Sequence, residues 1–210
     1  MIDYSLYLCT NSDMNNNYSI EECVEQAIKG GVTVVQVREK NKSQREFLKI
    51  AKKIKKITDA YNIPLIINDN IEITKKINAN GIHIGQSDIS CLNARKILGD
   101  DKIIGVTVTN LEEAKDAIVN GANYLGVGAI YKSNTKKDAK IVKKSELKKI
   151  TEYSTIPIVV IGGINKDTIP LLKGIKIDGY AMIRPILAED DITPATKNLK
   201  TIIANNKYAP

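Results

Sequence analysis

The stretch "VTVVQVREK", Val32 to Lys40, decides how the rest of the chain reads. A strand at a protein surface alternates polar and apolar residues, because successive side chains point to opposite faces. This one is almost purely strand-forming and apolar through Val37 and then ends in Arg38, Glu39 and Lys40. Uniform apolar character belongs to a strand covered on both faces, as in a parallel sheet wrapped by helices. Charge gathered at one tip marks the end that faces a site.

Similar short runs recur on both sides of it. The expected strands are "YSLYLCT" (4–10), "VTVVQV" (32–37), "PLIIN" (64–68), "GIHIG" (81–85), "KIIGVT" (102–107), "NYLGVG" (123–128), "IPIVVIG" (156–162) and "DGYAMI" (178–183). Helical patterns lie between them. Ser19 with Glu22 and Ser43 with Glu46 have capping-box spacing, and Gly30-Gly31 stops the first of these helices. The second carries Phe47, Ile50, Ala51, Ile54 and Ile57 on one face. Asn110 with Glu113 opens another helix that Gly121 closes, and Asn165 is expected to cap the helix after the seventh strand. Eight apolar strands separated by single helices predict an α/β fold, a single-domain (β/α)8 TIM barrel over residues 1–210. An open doubly wound sheet would fit the same alternation, but the first strand lacks the GxGxxG turn that often marks one.

Composition narrows the function classes. The net charge of +7 and pI near 9.1 invite a nucleic-acid reading. Yet the lysines of "KIAKKIKKITDAY" alternate with apolar residues at helical spacing, which places them on a solvated back face. Phe occurs once and Trp never, and nothing resembles an RNA-binding sheet, so no nucleic-acid partner is expected. Cys9, Cys23 and Cys91 have no metal or redox spacing and read as reduced thiols of a cytoplasmic protein. No apolar run approaches membrane-span length.

In such barrels the functional face lies at the C-terminal ends of the strands. There the sequence sets Gln36, Arg38 and Lys40 after the second strand, Asn68-Asp69 after the third, Gln86 and Asp88 after the fourth and Thr107 at the fifth. The sixth leads into "GAIYKSNTKKDAK" with Ser133, Thr135, Lys136 and Lys137, the seventh into Gly162-Gly163, and the eighth into Ile183-Arg184. Two carboxylates beside an amide suit Mg²⁺, which typically takes one or two carboxylates plus substrate phosphate oxygens. The Arg and Lys set suits those phosphates. Taken singly, Asp69 and Asp88 could equally be N-caps of the helices that follow them. His83 sits between Ile82 and Ile84, where a hydrogen-bonded structural role is favoured over catalysis.

The ordered series "VQVREK", "IINDN", "GIHIGQSD", "IIGVTVTN", "YLGVGAIYKSNTKKDA", "IPIVVIGGI" and "GYAMIRPI" resembles the thiamine phosphate synthase family over nearly the whole chain. The resemblance implies condensation of hydroxymethylpyrimidine diphosphate with a thiazole phosphate, releasing diphosphate. It implies that Gln36, Arg38, Lys40, Asn68, Thr107 and Lys136 hold the pyrimidine diphosphate, with Arg38, Lys40 and Lys136 stabilising the leaving group. Asp69 and Asp88 would ligate Mg²⁺. Ser133, Thr135, Gly163, Ile183 and Arg184 would hold the thiazole phosphate. Three departures stand out. Thr107 replaces the family's usual Ser, Lys132-Ser133 replaces Pro-Thr, and Arg184 stands where Ser is usual. Two rivals remain: a related thiazole tautomerase, whose catalytic histidine position is occupied here by Thr109, and a non-catalytic polyanion-binding module. Oligomeric state is not legible.

Overall fold

The computed structural model describes residues 2–14, 18–132 and 140–206. Eight strands close into an all-parallel barrel in sequence order, each hydrogen-bonded to the next and the last to the first. They are β1 (Leu6–Cys9), β2 (Val34–Val37), β3 (Leu65–Asn68), β4 (Gly81–Ile84), β5 (Ile103–Val108), β6 (Tyr124–Val127), β7 (Ile158–Val160) and β8 (Gly179–Met182). Seven fall within their expected runs, and β5 extends one residue beyond its own, to Val108. The helices are α1 (Ile20–Gly30), α2 (Gln44–Ala60), α3 (Ile71–Lys76), α4 (Cys91–Leu98), α5 (Leu111–Val119), α6 (Lys144–Tyr153), α7 (Arg184–Leu187) and α8 (Ile192–Asn205).

The helix starts follow their capping chemistry. Ser19 and Ser43 each form a reciprocal capping box, with Glu22 and Glu46 respectively, and Asn110 accepts from the backbone N–H of Glu113. Gly31 closes α1 with a positive φ, a conformation glycine adopts without a Cβ clash. Asn165 departs from expectation. Its side-chain oxygen accepts from the N–H groups of Asp167 and Thr168, but no α-helix follows. The β7–β8 connection is a 3₁₀ turn, Pro170–Leu172, with Gly174 at φ 82° just beyond it. Proline lacks an N–H to extend a helix into, and the left-handed glycine ends the segment within a turn.

The core has two parts. Outward-facing strand residues such as Leu8, Val35, Ile67, Ile82, Ile104 and Val127 pack with Val24, Ala51, Ile54, Leu147 and Leu199 of the helices. Inside the barrel, Tyr7, Cys9, Val34, Ile66, Tyr124, Val159 and Ala181 form a separate cluster with Tyr4. Glycines make room for these rings. Gly105 is in register with both His83 and Tyr124, and a Cβ there would lie 2.1 Å from the Tyr124 ring. A Cβ at Gly126 would meet the His83 ring at 2.8 Å. Among the described residues no helix is long and apolar enough to cross a membrane. None of the three cysteines is in a disulfide, and all are buried.

Candidate active site

The polar tip of β2 is built by the loop that follows β1. Glu39 is buried, accepting from the hydroxyls of Thr10 (2.8 Å) and Ser12 (2.6 Å) and from the Ser12 N–H (3.3 Å). The Arg38 N–H donates to the same Thr10 hydroxyl at 3.0 Å. Side chains alternate along an extended segment, so anchoring Glu39 sets Arg38 and Lys40 on the other side. Asn41 and Lys42 complete the brace by donating to Asp13 at 2.9 and 2.8 Å.

Asp69 and Asp88 come together. The Asp69 carboxyl lies within hydrogen-bonding reach of that of Asp88, and Lys40 Nζ stands 3.2 Å from Asp69 Oδ2. Burial raises the Asp69 pKa first, the Asp88 carboxyl adds to the rise, and Lys40 opposes it. Neither aspartate caps a helix: Asn70 caps α3 and Ser90 caps α4, which removes the structural alternative for both. Asp88 instead accepts from the Gly85 N–H at 2.7 Å. Asp69 has φ 59°, a left-handed backbone costing an L-residue about 1 kcal/mol or more. It is held there by its N–H to the His83 carbonyl (2.8 Å) and by a tight Asn70 N–H bond to the Asn68 carbonyl (2.7 Å). The backbone is thus bent to aim one carboxylate at another. Like charges in contact are stable only when a cation or proton lies between or beside them.

Below this rim the inward residues are polar and mutually bonded. Gln36 Nε2 donates to the Tyr7 hydroxyl at 2.9 Å, which lies 2.8 Å from the Tyr124 hydroxyl. Tyr124 reaches His83 Nδ1 at 2.8 Å, and His83 Nε2 lies 2.8 Å from the Thr107 hydroxyl. His83 is therefore hydrogen-bonded on both ring nitrogens, as expected from sequence. Burial lowers its pKa to about 4, with Asp88 opposing the shift, so the ring is neutral at pH 7. Gln86 Nε2 donates to the Thr107 carbonyl at 2.7 Å. Asn68 is buried on the same strand face as Ile66.

On the far side of the rim, Gly162 and Gly163 both have positive φ. A Cβ on Gly163 would stand 2.6 Å from the Tyr131 Cβ, so these glycines are required by close packing against 129–132. Ile183 precedes α7, and Arg184 is its first residue, exposed and without a side-chain hydrogen bond among the described residues. Ser133, Thr135, Lys136 and Lys137 lie outside the described residues. Thr109 is spoken for: its N–H and hydroxyl donate to the Glu113 carboxylate at 2.6 and 3.1 Å, closing the start of α5. Sequence reading missed Glu39, Tyr7 and Tyr124. The charged tip held a signal for the first, since an acid between two bases on a strand end must face the other way.

Comparison with known proteins agrees in sequence and in shape. The thiamine monophosphate synthase family model matches residues 6–186. A thiamine-phosphate synthase from Clostridium beijerinckii is 52% identical over 199 residues, covering 95% of each chain. One from Clostridium botulinum is 50% identical over 199 residues, covering 95% of this chain and 93% of its own. Among solved structures, a thiamine phosphate pyrophosphorylase from Pyrococcus furiosus superposes with TM-score 0.88 at 32% identity, covering 97% of this chain and 96% of that one.

Proposed function

The chain belongs to the thiamine monophosphate synthase family, and from that premise we propose how its rim carries out thiamine-phosphate synthesis. The reaction joins a hydroxymethylpyrimidine diphosphate to a thiazole phosphate. The C–O bond to diphosphate breaks with its electron pair leaving on oxygen, and the thiazole nitrogen supplies the pair for the new C–N bond. The chemistry asks little of acids and bases and much of anion stabilisation. Arg38, Lys40 and Lys136 hold the departing diphosphate, while Gln36, Asn68 and Thr107 orient the pyrimidine beneath it. Ser133, Thr135, Gly163, Ile183 and Arg184 hold the thiazole phosphate in line with the reacting carbon.

The observation that carries this reading is the Asp69–Asp88 contact beside Lys40. Two carboxylates and no third acidic or imidazole ligand, among the described residues, fit a hard divalent ion that completes its shell with water and phosphate oxygens. Asp69 and Asp88 would hold Mg²⁺, which when bound neutralises charge on the diphosphate. Lys40, 3.2 Å from Asp69, would stand beside that ion and supply a further positive charge to the leaving group. Thr109, already committed to Glu113, weighs against the tautomerase alternative.

The test mixes the protein with both phosphorylated heterocycles, with and without Mg²⁺, and follows diphosphate release. Mg²⁺-dependent turnover in wild type, reduced at least about 100-fold in Asp69→Asn and in Lys136→Ala with the fold intact, supports the assignment. Single-turnover rates near wild type in both variants overturn it.

A further inference from the structure

Five side chains in the barrel interior form one unbroken chain of hydrogen bonds: Gln36, Tyr7, Tyr124, His83 and Thr107. It starts on β2, crosses β1, β6 and β4, and ends on β5, so it joins two residues assigned above to the pyrimidine without passing through solvent. Each member has a fixed supply of hydrogens. A phenol or an alcohol has one, and a neutral imidazole carries one on one nitrogen and a lone pair on the other. Gln36 Nε2 gives its hydrogen to the Tyr7 oxygen. The Tyr7 hydroxyl has no other acceptor among the described residues, so its hydrogen goes to Tyr124, and Tyr124 in turn has only His83 Nδ1 to receive its own. His83 Nδ1 becomes an acceptor, which puts the ring hydrogen on Nε2, facing Thr107. The Thr107 oxygen accepts it and keeps its own hydrogen free, with no other side-chain hydroxyl bond among the described residues.

We propose that this chain is a directional relay in which His83, held as the Nε2–H tautomer, is a positioning residue that makes Thr107 a hydrogen-bond donor to the pyrimidine diphosphate while Gln36 presents its carbonyl. The two ends are coupled: reversing the Gln36 amide reverses every bond and turns Thr107 into an acceptor. A substrate edge that donates at Gln36 and accepts at Thr107 fits one direction of the relay; the opposite edge meets two mismatches at once. The chain thus sets ring orientation from below, remote from the charges on the rim. Gly105 and Gly126 belong to the same device, because a Cβ at either would collide with the Tyr124 or His83 ring. The proposal rests on the functional reading of the rim, but its first test does not.

His83 is the only histidine in the chain, so histidine-selective ¹⁵N labelling gives a single imidazole. Spectra of the protein without substrates are expected to show a protonated Nε2 and an unprotonated Nδ1. A protonated Nδ1, or averaging between tautomers, overturns the relay whatever the enzyme's substrates prove to be. In turnover assays Tyr124→Phe, which keeps the ring over Gly105 and removes the donor to Nδ1, is expected to raise KM for the pyrimidine diphosphate about 10-fold. KM for the thiazole phosphate stays unchanged. His83→Gln, with an amide N–H in place of Nε2–H, is expected to lie closer to wild type than His83→Ala. Equal KM changes for both substrates in Tyr124→Phe, or His83→Gln no better than His83→Ala, refutes the positioning role. Absence of any turnover in wild type refutes the functional reading alone and leaves the tautomer result standing.

Discussion

Gly105→Ala adds one methyl group to the barrel interior, and the structure says what it meets. The new Cβ would lie 2.1 Å from Tyr124 Cζ and 2.4 Å from its hydroxyl oxygen, inside van der Waals contact with a fully buried ring. The ring has no free side to retreat to. It packs against Tyr4 at 4.8 Å between centroids and Tyr7 at 6.0 Å, and its hydroxyl is bonded to Tyr7 and His83. Overpacking of this kind costs about 1–3 kcal/mol. Displacing the hydroxyl also strands the buried His83 Nδ1, for about 1–3 kcal/mol more. Alanine returns up to about 1 kcal/mol by restricting the unfolded chain. The net expectation is a loss of about 1–6 kcal/mol, read as a fall in the urea midpoint at unchanged slope. The companion variant is Gly105→Ala/Tyr124→Leu. Removing the ring removes the collision, so the double variant should be at least about 1 kcal/mol more stable than the sum of the singles predicts. Strict additivity, or a Gly105→Ala midpoint equal to wild type, refutes the claim that this glycine exists to admit the tyrosine.

Three further outcomes follow from groups already described. Asp69→Asn removes one of two contacting carboxylates, so in metal-free buffer its Tm should equal or exceed that of wild type. Added Mg²⁺ should raise the Tm of wild type only, and equal Mg²⁺ responses in both proteins would count against the metal assignment. For pH, the folded His83 pKa is about 4 and the unfolded one about 6.5. Between them the unfolded chain binds a proton that the folded ring refuses. The stabilisation is full above the unfolded value and falls with pH through that window, by up to about 3 kcal/mol and less where the ring opens to the mouth. Wild type should therefore lose stability relative to His83→Gln between pH 7 and pH 4.5, and parallel profiles for the two proteins contradict the buried neutral ring. Among the thiols, burial pushes Cys9 up to about 12 and raises Cys23 and Cys91 as well. Native protein at pH 8 should leave Cys9 unmodified by an alkylating reagent that labels it fully in urea; mass mapping that finds Cys9 labelled without denaturant would contradict its enclosure.

The barrel was legible because parallel strands buried on both faces write themselves as unbroken apolar runs, and because Ser19, Ser43 and Asn110 announce helix starts locally. The β7–β8 connection was not. "NKDTIPLL" opens like a capped helix, and only Pro170 and Gly174, whose effect depends on the backbone around them, cut it to a single 3₁₀ turn. At the site, charge clustered on strand tips could be read directly. What Asp69 and Asp88 do could not, since a carboxylate after a strand fits a cap as well as a metal until Asn70 and Ser90 are seen to hold the caps. Tyr7 and Tyr124 were hidden for another reason. In sequence they are strand-forming aromatics, and their hydroxyls meet across a separation of 117 residues.

The interior of an eight-stranded barrel is just wide enough for side chains to fill. In this one the filling is uneven. Inward positions on four strands are glycine: Gly81, Gly105, Gly126 and Gly179 alternate with His83, Thr107, Tyr124 and Ala181. Tyr124 takes the space at Gly105, Tyr4 that at Gly179 and the His83 ring that at Gly126, while Ile103 crowds Gly81. The rings of Tyr4, Tyr7 and Tyr124 form the floor, and the hydroxyls of Tyr7 and Tyr124 begin the polar layer above it. An aliphatic filling of equal volume would pack as well but could not hand hydrogen bonds upward to His83 and Thr107. The glycines are therefore as much a part of the site as the charges on its rim, because without them the aromatic floor, and the fixed tautomer it supports, could not be assembled.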